Sequence, residues 1–444
     1  MRFSFLASLN LIRLLTIWPL TLYAAAAGMP PTPARAAPLN TLHSFCAKLI
    51  NGDTCKDGRE PLFGALLMDS AGNLFGTTPD GGPGKGILYE LVANTDGTDW
   101  TYVVRYRFNA IRGGLEPDGP LIMDLSGNLY GVAGLGGANH VGVVYELSPV
   151  AGAKLWNETV LYDFCADGGT CADGSVAVAG LTYQGAATGL PYDGTSPLFG
   201  VTLFGGAHGG GVVFRISPSG RRQWHEKVLH DFCSSGGDQC TDGTNSRALL
   251  IMDAAGNLYG TTDSGGAGGV GVVFELTPQA HQWNETVLYS FCAMADCADG
   301  ANTVAGLAMD SSGALYGTTY DGGANGAGTA FKLVPNGAQS QYAVLHDFCS
   351  DAGCADGGKP FAALALDNAG NLYGTASNGG ARGSGTIFGI GKKFAVLYNF
   401  CMRSGCKDGE SPQEALIRDG AGNLFGATHT GGQHGEGTVF ELPP

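Results

Sequence analysis

The sequence predicts an all-β chain folded as one seven-bladed β-propeller of four-stranded blades. Three observations predict it. A five-residue marker, Gly-Asn-Leu-aromatic-Gly, recurs seven times in full or degenerate form. Four strand-like runs accompany each recurrence. The two ends of the chain supply strands that complement each other. Repeats are weighed before local propensity because they fix the architecture.

The first marker is Gly72-Asn73-Leu74-Phe75-Gly76, and full copies end at Gly131, Gly260, Gly374 and Gly426. Degenerate copies end at Gly200 and Gly317, and the mean spacing is about 58 residues. Within a unit the first run is almost continuously apolar, as in Ala248 to Asp253. Such a run suits a strand buried on both faces. An Asp-x-x-Gly-Asn turn follows, its Gly supplying positive φ. The second strand is Leu258 to Thr262. A glycine-rich loop, Asp263 to Val270, leads to a third strand, Gly271 to Leu276. The fourth is Glu285 to Phe291, after which a short cysteine-bracketed loop ends in Asp-Gly. Seven such units indicate a propeller. A β-helix repeats over a much shorter period.

The ends provide an independent check. Leu39 to Phe45 reads as a fourth-type strand, and Gly437 to Leu442 as a third-type strand. The seventh blade lacks one strand and the N-terminus has one to spare. Pairing them closes the ring and covers two open edges.

The string Asp-x-x-Gly-Asn-Leu-Tyr-Gly-Thr-Thr, then Gly-Gly, then Gly-Thr/Val-Val-Phe-Glu-Leu resembles the GloVer tandem-repeat family of exported bacterial proteins. The resemblance extends over nearly all of the chain beyond its N-terminal segment. It implies an extracytoplasmic repeat protein and no particular activity. Some relatives carry a C-terminal surface anchor; with its end at Phe440-Glu-Leu-Pro-Pro444, none is expected here.

Composition narrows the class. Of 444 residues, 74 are Gly, without a triplet period, so the chain is not collagenous. The hydrophobic fraction of 44% is too high for a disordered chain. A net charge of -15 argues against a nucleic-acid partner. Residues 1–36 read as a secretory signal: Arg2 and Arg13 supply charge, Leu14 to Ala27 the apolar core, and Ala34-Arg35-Ala36 a cleavage site. An earlier cut near Ala26 and an uncleaved anchor are the alternatives. Residues 37–444 then form the propeller. Removing Arg2, Arg13 and Arg35 leaves 21 basic against 39 acidic residues, a charge of -18. No second long apolar run occurs, so no membrane span is expected after signal removal. Export is expected, to periplasm or medium.

The twelve cysteines fall into six close pairs: Cys46/Cys55, Cys165/Cys171, Cys233/Cys240, Cys292/Cys297, Cys349/Cys354 and Cys401/Cys406. Each pair lies between a fourth strand and the next first strand. Only the loop from Asn109 to Asp118 lacks one, and there Asp118-Gly119 reads as the retained loop end. Six local disulfides are expected, consistent with export. Zinc would need a second ligand pair at suitable spacing, and a redox role would need Cys-x-x-Cys; neither occurs.

In a propeller the cysteine loops and the glycine-rich loops share one face. Lys85, His140, His208, Asn325, Arg382 and His434 vary there on a constant scaffold, which makes them the candidate ligand-contact residues. His43, His230 and His346 alternate with Tyr106, Tyr162, Tyr289 and Tyr398 before the Phe that ends each fourth strand, a pattern of packing more than catalysis. Asp69, Asp124, Asp253, Asp310, Asp367 and Asp419 open the first turns, and Asp57, Asp118, Asp173, Asp242, Asp299, Asp356 and Asp408 precede Gly. Single Asp residues suit turn capping better than calcium, which needs several converging oxygens. No Gly-x-Ser-x-Gly or His-Glu-x-x-His occurs. Gly266 to Gly271 fits a dinucleotide string but leads into a strand, not a helix. Trp100, Trp156, Trp224 and Trp283 precede fourth strands, at outer edges. No catalytic residue, metal or cofactor is assigned. The reading is a monomeric binding or scaffold propeller with an extracellular protein or carbohydrate as partner. The alternative is an enzyme acting on carbohydrate or peptide at the channel.

Overall fold

The computed structural model describes residues 38–50, 54–62, 64–82, 84–94, 99–109, 113–220, 223–235, 240–280 and 282–444. The segment read as a signal, residues 1–36, lies outside the described residues. The chain is all-β, with seven antiparallel four-stranded blades arranged as a propeller. Blade 1 runs from Leu67–Met68 to Trp100–Arg107, blade 2 from Gly114–Met123 to Asn157–Asp163, blade 3 from Ser175–Ala177 to Gln223–Asp231, blade 5 from Ala308–Met309 to Gln341–Asp347 and blade 6 from Gly358–Pro360 to Phe394–Asn399. Blade 4 is representative: Ile251–Met252, Leu258–Thr261, Val272–Pro278 and Trp283–Ser290 pair in that order. Blade 7 is composite. Ile417–Arg418, Leu424–Thr428 and Thr438–Leu442 are completed by Asn40–Ser44, with Asn40 opposite Glu441 and Ser44 opposite Thr438. The expected strand exchange therefore closes the ring.

The first strand is not the continuous run that its apolar sequence suggests. In blade 6 it splits into Gly358–Pro360 and Ala365–Leu366, both paired to Leu372–Asn378. Between these two pieces Phe361, Ala362 and Ala363 line the axial cavity.

The marker's last glycine has a packing reason. A Cβ on Gly260 would lie 2.6 Å from Cζ of Phe274. The third-strand aromatic lies across the second strand and leaves no room for a side chain. That ring also meets the Phe ending the preceding blade's fourth strand. Phe232 and Phe274 contact edge-on at 5.2 Å, and Phe45 and Tyr89 do so at 5.3 Å across the closure. All seven of these phenylalanines, Phe45, Phe108, Phe164, Phe232, Phe291, Phe348 and Phe400, are fully buried. Each blade is thus bolted to the next by an aromatic pair. Trp100, Trp156 and Trp283 do the same further out, against Phe425, Phe75 and Phe199 of the preceding blades.

Six disulfides join the nearest-neighbour cysteines as expected: Cys46–Cys55, Cys165–Cys171, Cys233–Cys240, Cys292–Cys297, Cys349–Cys354 and Cys401–Cys406. No described cysteine is free. Such bonds persist in an oxidising compartment.

Beyond their sulfurs, the second cysteines Cys171, Cys240, Cys297, Cys354 and Cys406 also turn the chain, with left-handed φ between 43° and 54°. Cys297 and Cys354 close short 3₁₀ turns, Ala295–Cys297 and Ala352–Cys354. The carbonyl of each of the five accepts the N–H of the glycine three residues on, at 2.8–3.0 Å. That bond makes the Cys-x-Asp-Gly segment a tight turn, and residue type alone does not show it. Cys55 differs. Its loop is longer, and it lies in the extended pair Leu49–Ile50 and Thr54–Cys55. Among the described residues no helix is long and apolar enough to cross a membrane.

Candidate functional site at the loop face and channel

The cysteine loops and glycine-rich loops do share a face, and backbone bonds weld them together. Gly82, Gly206, Gly266, Gly323, Gly380 and Gly432 donate to the carbonyls of Cys55, Cys171, Cys240, Cys297, Cys354 and Cys406 in turn, at 2.8–2.9 Å. Inside each stapled loop an Asp collects the free N–H groups. Asp299 accepts from Ala293 and Met294, and Asp408 from Met402 and Arg403. The same carboxylates take the His or Tyr of the fourth strand. Tyr162, Tyr289 and Tyr398 donate to Asp173, Asp299 and Asp408 at 2.7 Å. His346 lies 3.0 Å from Asp356, and His43 and His230 lie 3.4 and 3.5 Å from Asp57 and Asp242. His and Tyr interchange because each places one polar atom beside the same carboxylate. The residue that follows turns to the other side of the strand. Asp163, Asp231 and Asp347 there accept the N–H of Ala138, Ala207 and Ala324 in the glycine-rich loops.

Blade 2 corrects a second reading. Asp118-Gly119 is not the loop end. Gly114 stands where Gly58 and Gly174 stand, over Ala133 and Val143 as they stand over Thr78 and Ile87 or Thr202 and Val212. Asp118 belongs further along the inner strand, opposite Val132. The missing carboxylate comes from elsewhere. Glu158, on the fourth strand of blade 2, accepts Gly114 N–H at 2.9 Å and Tyr106 O–H at 2.8 Å. A longer acid from a neighbouring strand replaces both the aspartate and its staple.

The six candidate contact residues are spread around the rim. His208, Asn325, Arg382 and His434 share one exposed position at the loop tips. His140 is also exposed but occupies the left-handed turn position, with φ 62°, that is Gly209, Gly326 or Gly383 elsewhere. Lys85 is displaced toward the channel and pairs with Glu116 at 2.7 Å. Asn325 Nδ2 donates to Phe348 O at 3.1 Å. Among the described residues no hydrogen bond or ion pair joins any two of the six.

A feature absent from the sequence reading lies inside this rim. Glu60, Glu116, Val176, Asn245, Asn302, Lys359 and Ser411 all have φ between 52° and 60°. Each donates its N–H to the glycine-rich loop of the preceding blade, at 2.7–3.0 Å. Left-handed backbone costs a non-glycine residue about 1 kcal/mol or more. The inter-blade bond compensates seven times over. Residue type does not reveal the ring, because its seven members have little in common. Its signal is position, since each stands two residues after the loop glycine.

The channel itself is narrow. Ala65 of blade 1 bridges Ala415 of blade 7, and Ala415 N–H donates to Gly64 O at 3.0 Å. The axial cavity is about 130 Å³ and is lined mostly by Ala and Gly, with Arg247 and Gln413 as polar exceptions. Arg247 pairs with Asp263 at 3.0 Å. Behind this lining the repeat breaks again. Glu414 stands where Ala248, Ala305 and Ala362 stand, and is 3% exposed. A Cβ on Gly64 would lie 3.1 Å from its Oε1, so Gly64 makes room for the carboxyl. Tyr89 and Tyr145 replace the Phe of the other five third strands and are fully buried. Their hydroxyls and Asp118 Oδ1 make no hydrogen bond among the described residues. Burial pushes the carboxyls of Glu414 and Asp118 up to about 8. Two carboxyls between blades behave alike: burial, then nearby Asp173, lifts Glu226 to about 8, and burial, then Asp242, lifts Glu285 to about 7.

These four acids set a pH dependence. Each has a folded pKa above its unfolded value. The folded chain holds the proton more tightly, and that stability is lost as pH rises through the folded value. Burial pulls His230 and His346 below 6.5, an opposing effect confined to lower pH. Between pH 6.5 and 9 the acids dominate, at on the order of 2 kcal/mol each for Glu414 and Asp118 and less for Glu226 and Glu285, which solvent partly screens. Thermal unfolding followed by circular dichroism is expected to show Tm falling across this window. The triple change Glu226→Gln, Glu285→Gln, Glu414→Gln should flatten the fall. A Tm that rises from pH 6.5 to 9 contradicts the assignment.

Seven four-stranded blades around a closed axis, with one face built from two loop sets, define a repeat propeller module. The chain belongs to the Gloeobacter/Verrucomicrobia repeat family, whose model matches residues 184–354 and 283–444. No curated protein matches the sequence. Among solved structures it is similar to the extracellular domain of a protein described as a hybrid two-component system from B. thetaiotaomicron. That match has 12% identity and a TM-score of 0.44, covering 85% of this chain and 45% of the other. A protein described as a 6-phosphogluconolactonase from Bacteroides uniformis matches at 10% identity and TM-score 0.44, over 75% of this chain and 83% of its own. A luciferin-regenerating enzyme matches at 9% and 0.41, over 87% and 92%. The chain spans less than half the length of the first of these.

Proposed function

We propose that the protein is an exported binding module whose partner, an extracellular protein or carbohydrate, sits on the face formed by the cysteine and glycine-rich loops. The observation that carries this is the ring of seven left-handed residues. One backbone geometry, fixed by one set of inter-blade bonds, places Glu, Glu, Val, Asn, Asn, Lys and Ser in turn at half-buried positions, where Asn245 and Asn302 bond to Leu203 O and Asp263 O, Glu116 pairs with Lys85 and Lys359 with Asp321. Constant scaffold with varied chemistry is what recognition of an irregular surface requires. The exposed His140, His208, Asn325, Arg382 and His434 extend it outward. The disulfides and Asp caps hold the loops in place, which lowers the entropic cost of binding. The axial cavity, at about 130 Å³, is smaller than the roughly 300–1,000 Å³ of small-molecule sites, which disfavours an enzyme working in the channel. Six disulfides support an oxidising destination, periplasm or medium.

The experiment is a glycan and peptide array probed with residues 37–444, followed by titration of any hit against two variants. One carries Lys85→Ala, His140→Ala, His208→Ala and Arg382→Ala. The other carries Asn257→Ala, Asn371→Ala and Asn423→Ala on the opposite face. The first is expected to bind at least tenfold more weakly and the second to bind as the parent. Equal losses from both, with both still folded, reject the loop face.

A further inference from the structure

The opposite face of the propeller carries a large cavity that the repeat does not explain. Blade 3 contains an insertion, residues 183–196, between its first strand and the following Leu198–Phe204. This insertion is a built wall and not a loose loop. Tyr192 is fully buried, its hydroxyl donates to Ser196 O at 2.6 Å, and its ring contacts Tyr130 and Tyr183 at 5.0 and 5.1 Å. Tyr183 Oη donates to Leu190 O at 2.6 Å. The backbone at Tyr192 bridges Asp124 in the turn of blade 2, and Tyr130 Oη donates to Asp124 Oδ2 at 3.0 Å.

The wall and the turns of blades 1 and 2 enclose a groove of about 670 Å³. Met68, Ile122, Met123, Leu125, Tyr183 and Leu190 supply its apolar surface. Leu125 and Leu190, 78% and 61% exposed, are the two most exposed large hydrophobic residues among those described. Both are held out by ordered structure, and such patches mark binding surfaces. Gly127 and Gly189 also line the groove, and nothing lies within 4 Å of a Cβ built on either, so a partner's backbone can approach there. The charge is one-sided. Asp69 and Asp124 line the groove as caps of their own turns, Asp124 buried and Asp69 partly exposed, and among the described residues no Lys, Arg or His lines it. Asp193 in the wall is held low, at about 2, by Ser196 and by backbone N–H groups.

We propose that this groove binds an extended peptide segment carrying large apolar side chains next to Lys or Arg. The lining comes from the turns of blades 1 and 2 and from the blade 3 wall, so a stretch of chain can lie across all three. The exposed Asp193 beside the lining Pro191, with the turn caps Asp69 and Asp124, favours a basic flank by charge complementarity, and the apolar floor takes the side chains. The site is separate from the loop face and stands whether or not that face binds.

Fluorescence anisotropy tests it with three fluorescein-labelled decapeptides. One has a Leu-rich centre flanked by Lys, one the same centre flanked by Glu, and one a Ser centre flanked by Lys. The Leu/Lys peptide is expected to saturate, with the other two at least tenfold weaker. Leu125→Asp and Leu190→Asp are each expected to weaken it at least tenfold. These changes add negative charge, so a loss isolates the apolar contact. They alter exposed side chains and should leave Tm unchanged. The loop-face changes His208→Ala and Arg382→Ala should have no effect. Equal binding of the Ser/Lys peptide, indifference to both Leu variants, or no saturation overturns the proposal. So does sedimentation that shows a dimer abolished by Leu190→Asp, which would assign the groove to a second copy of the chain.

Discussion

Deleting residues 38–45 is expected to abolish the folded monomer. That segment supplies the fourth strand of blade 7, and its loss unpairs the row of backbone groups on Thr438–Leu442. It also removes two fully buried side chains. Leu39 packs in the cluster of blade 7, and Phe45 bolts blade 7 to blade 1 through Tyr89. Burial of each side chain is worth about 2–3 kcal/mol, and the lost strand pairing adds to that. An exposed edge of Thr-Val-Phe-Glu-Leu invites pairing between chains. Size-exclusion chromatography should show aggregate or no soluble protein. Supplying a peptide of residues 38–46 in trans during refolding should partly restore the monomer. A soluble monomer with the parent Tm after deletion would mean that the ring closes without this strand.

The same closure is legible in the sequence because it is a counting argument. Seven markers, four runs per unit, one strand missing from the last unit and one spare at the N-terminus leave little freedom. The disulfide pairing is legible because the cysteines are close in sequence. The backbone task of Cys171, Cys240, Cys297, Cys354 and Cys406 is not, because it lies in the carbonyl and the φ angle and not in the sulfur. Most of what the sequence conceals depends on positions in different blades meeting around the axis. Glu414 looks unremarkable in Gln413-Glu414-Ala415, yet the topology buries it beside Gly64. Asp118 looks like a loop aspartate because Gly119 follows it. Only the pairing of Gly114 with Gly136 shows that the loop ended earlier. The left-handed ring is invisible to residue type, because backbone bonds and not side chains impose it. The candidate rim residues are legible as a face but not as equivalent positions, since blade 1's glycine-rich loop is one residue shorter and shifts Lys85 inward.

Reducing all six disulfides is expected to lower Tm by more than 10 °C while leaving the far-UV strand signal at 25 °C largely intact. The bonds close short loops, with separations of five to nine residues. Loop-closure entropy assigns about 2 kcal/mol to each. Six such terms approach the whole net stability typical of a folded domain, roughly 5–15 kcal/mol. The blades should nevertheless persist at ambient temperature, because their cores lie in the strands and in the inter-blade aromatic pairs. The loops also keep a second restraint, the Asp that gathers their N–H groups. Blade 2 supplies an internal control. Its loop has no disulfide and depends on Glu158, whose carboxyl burial raises in pKa while Gly114 N–H and Tyr106 O–H hold it. Glu158→Ala should lower Tm by a similar amount in oxidised and reduced protein, since reduction does not touch that loop. Thiol titration must count twelve free groups before the comparison is made. A Tm that stays within about 3 °C of the oxidised value would show that the caps alone hold the loop face, and that the disulfides contribute little to its stability.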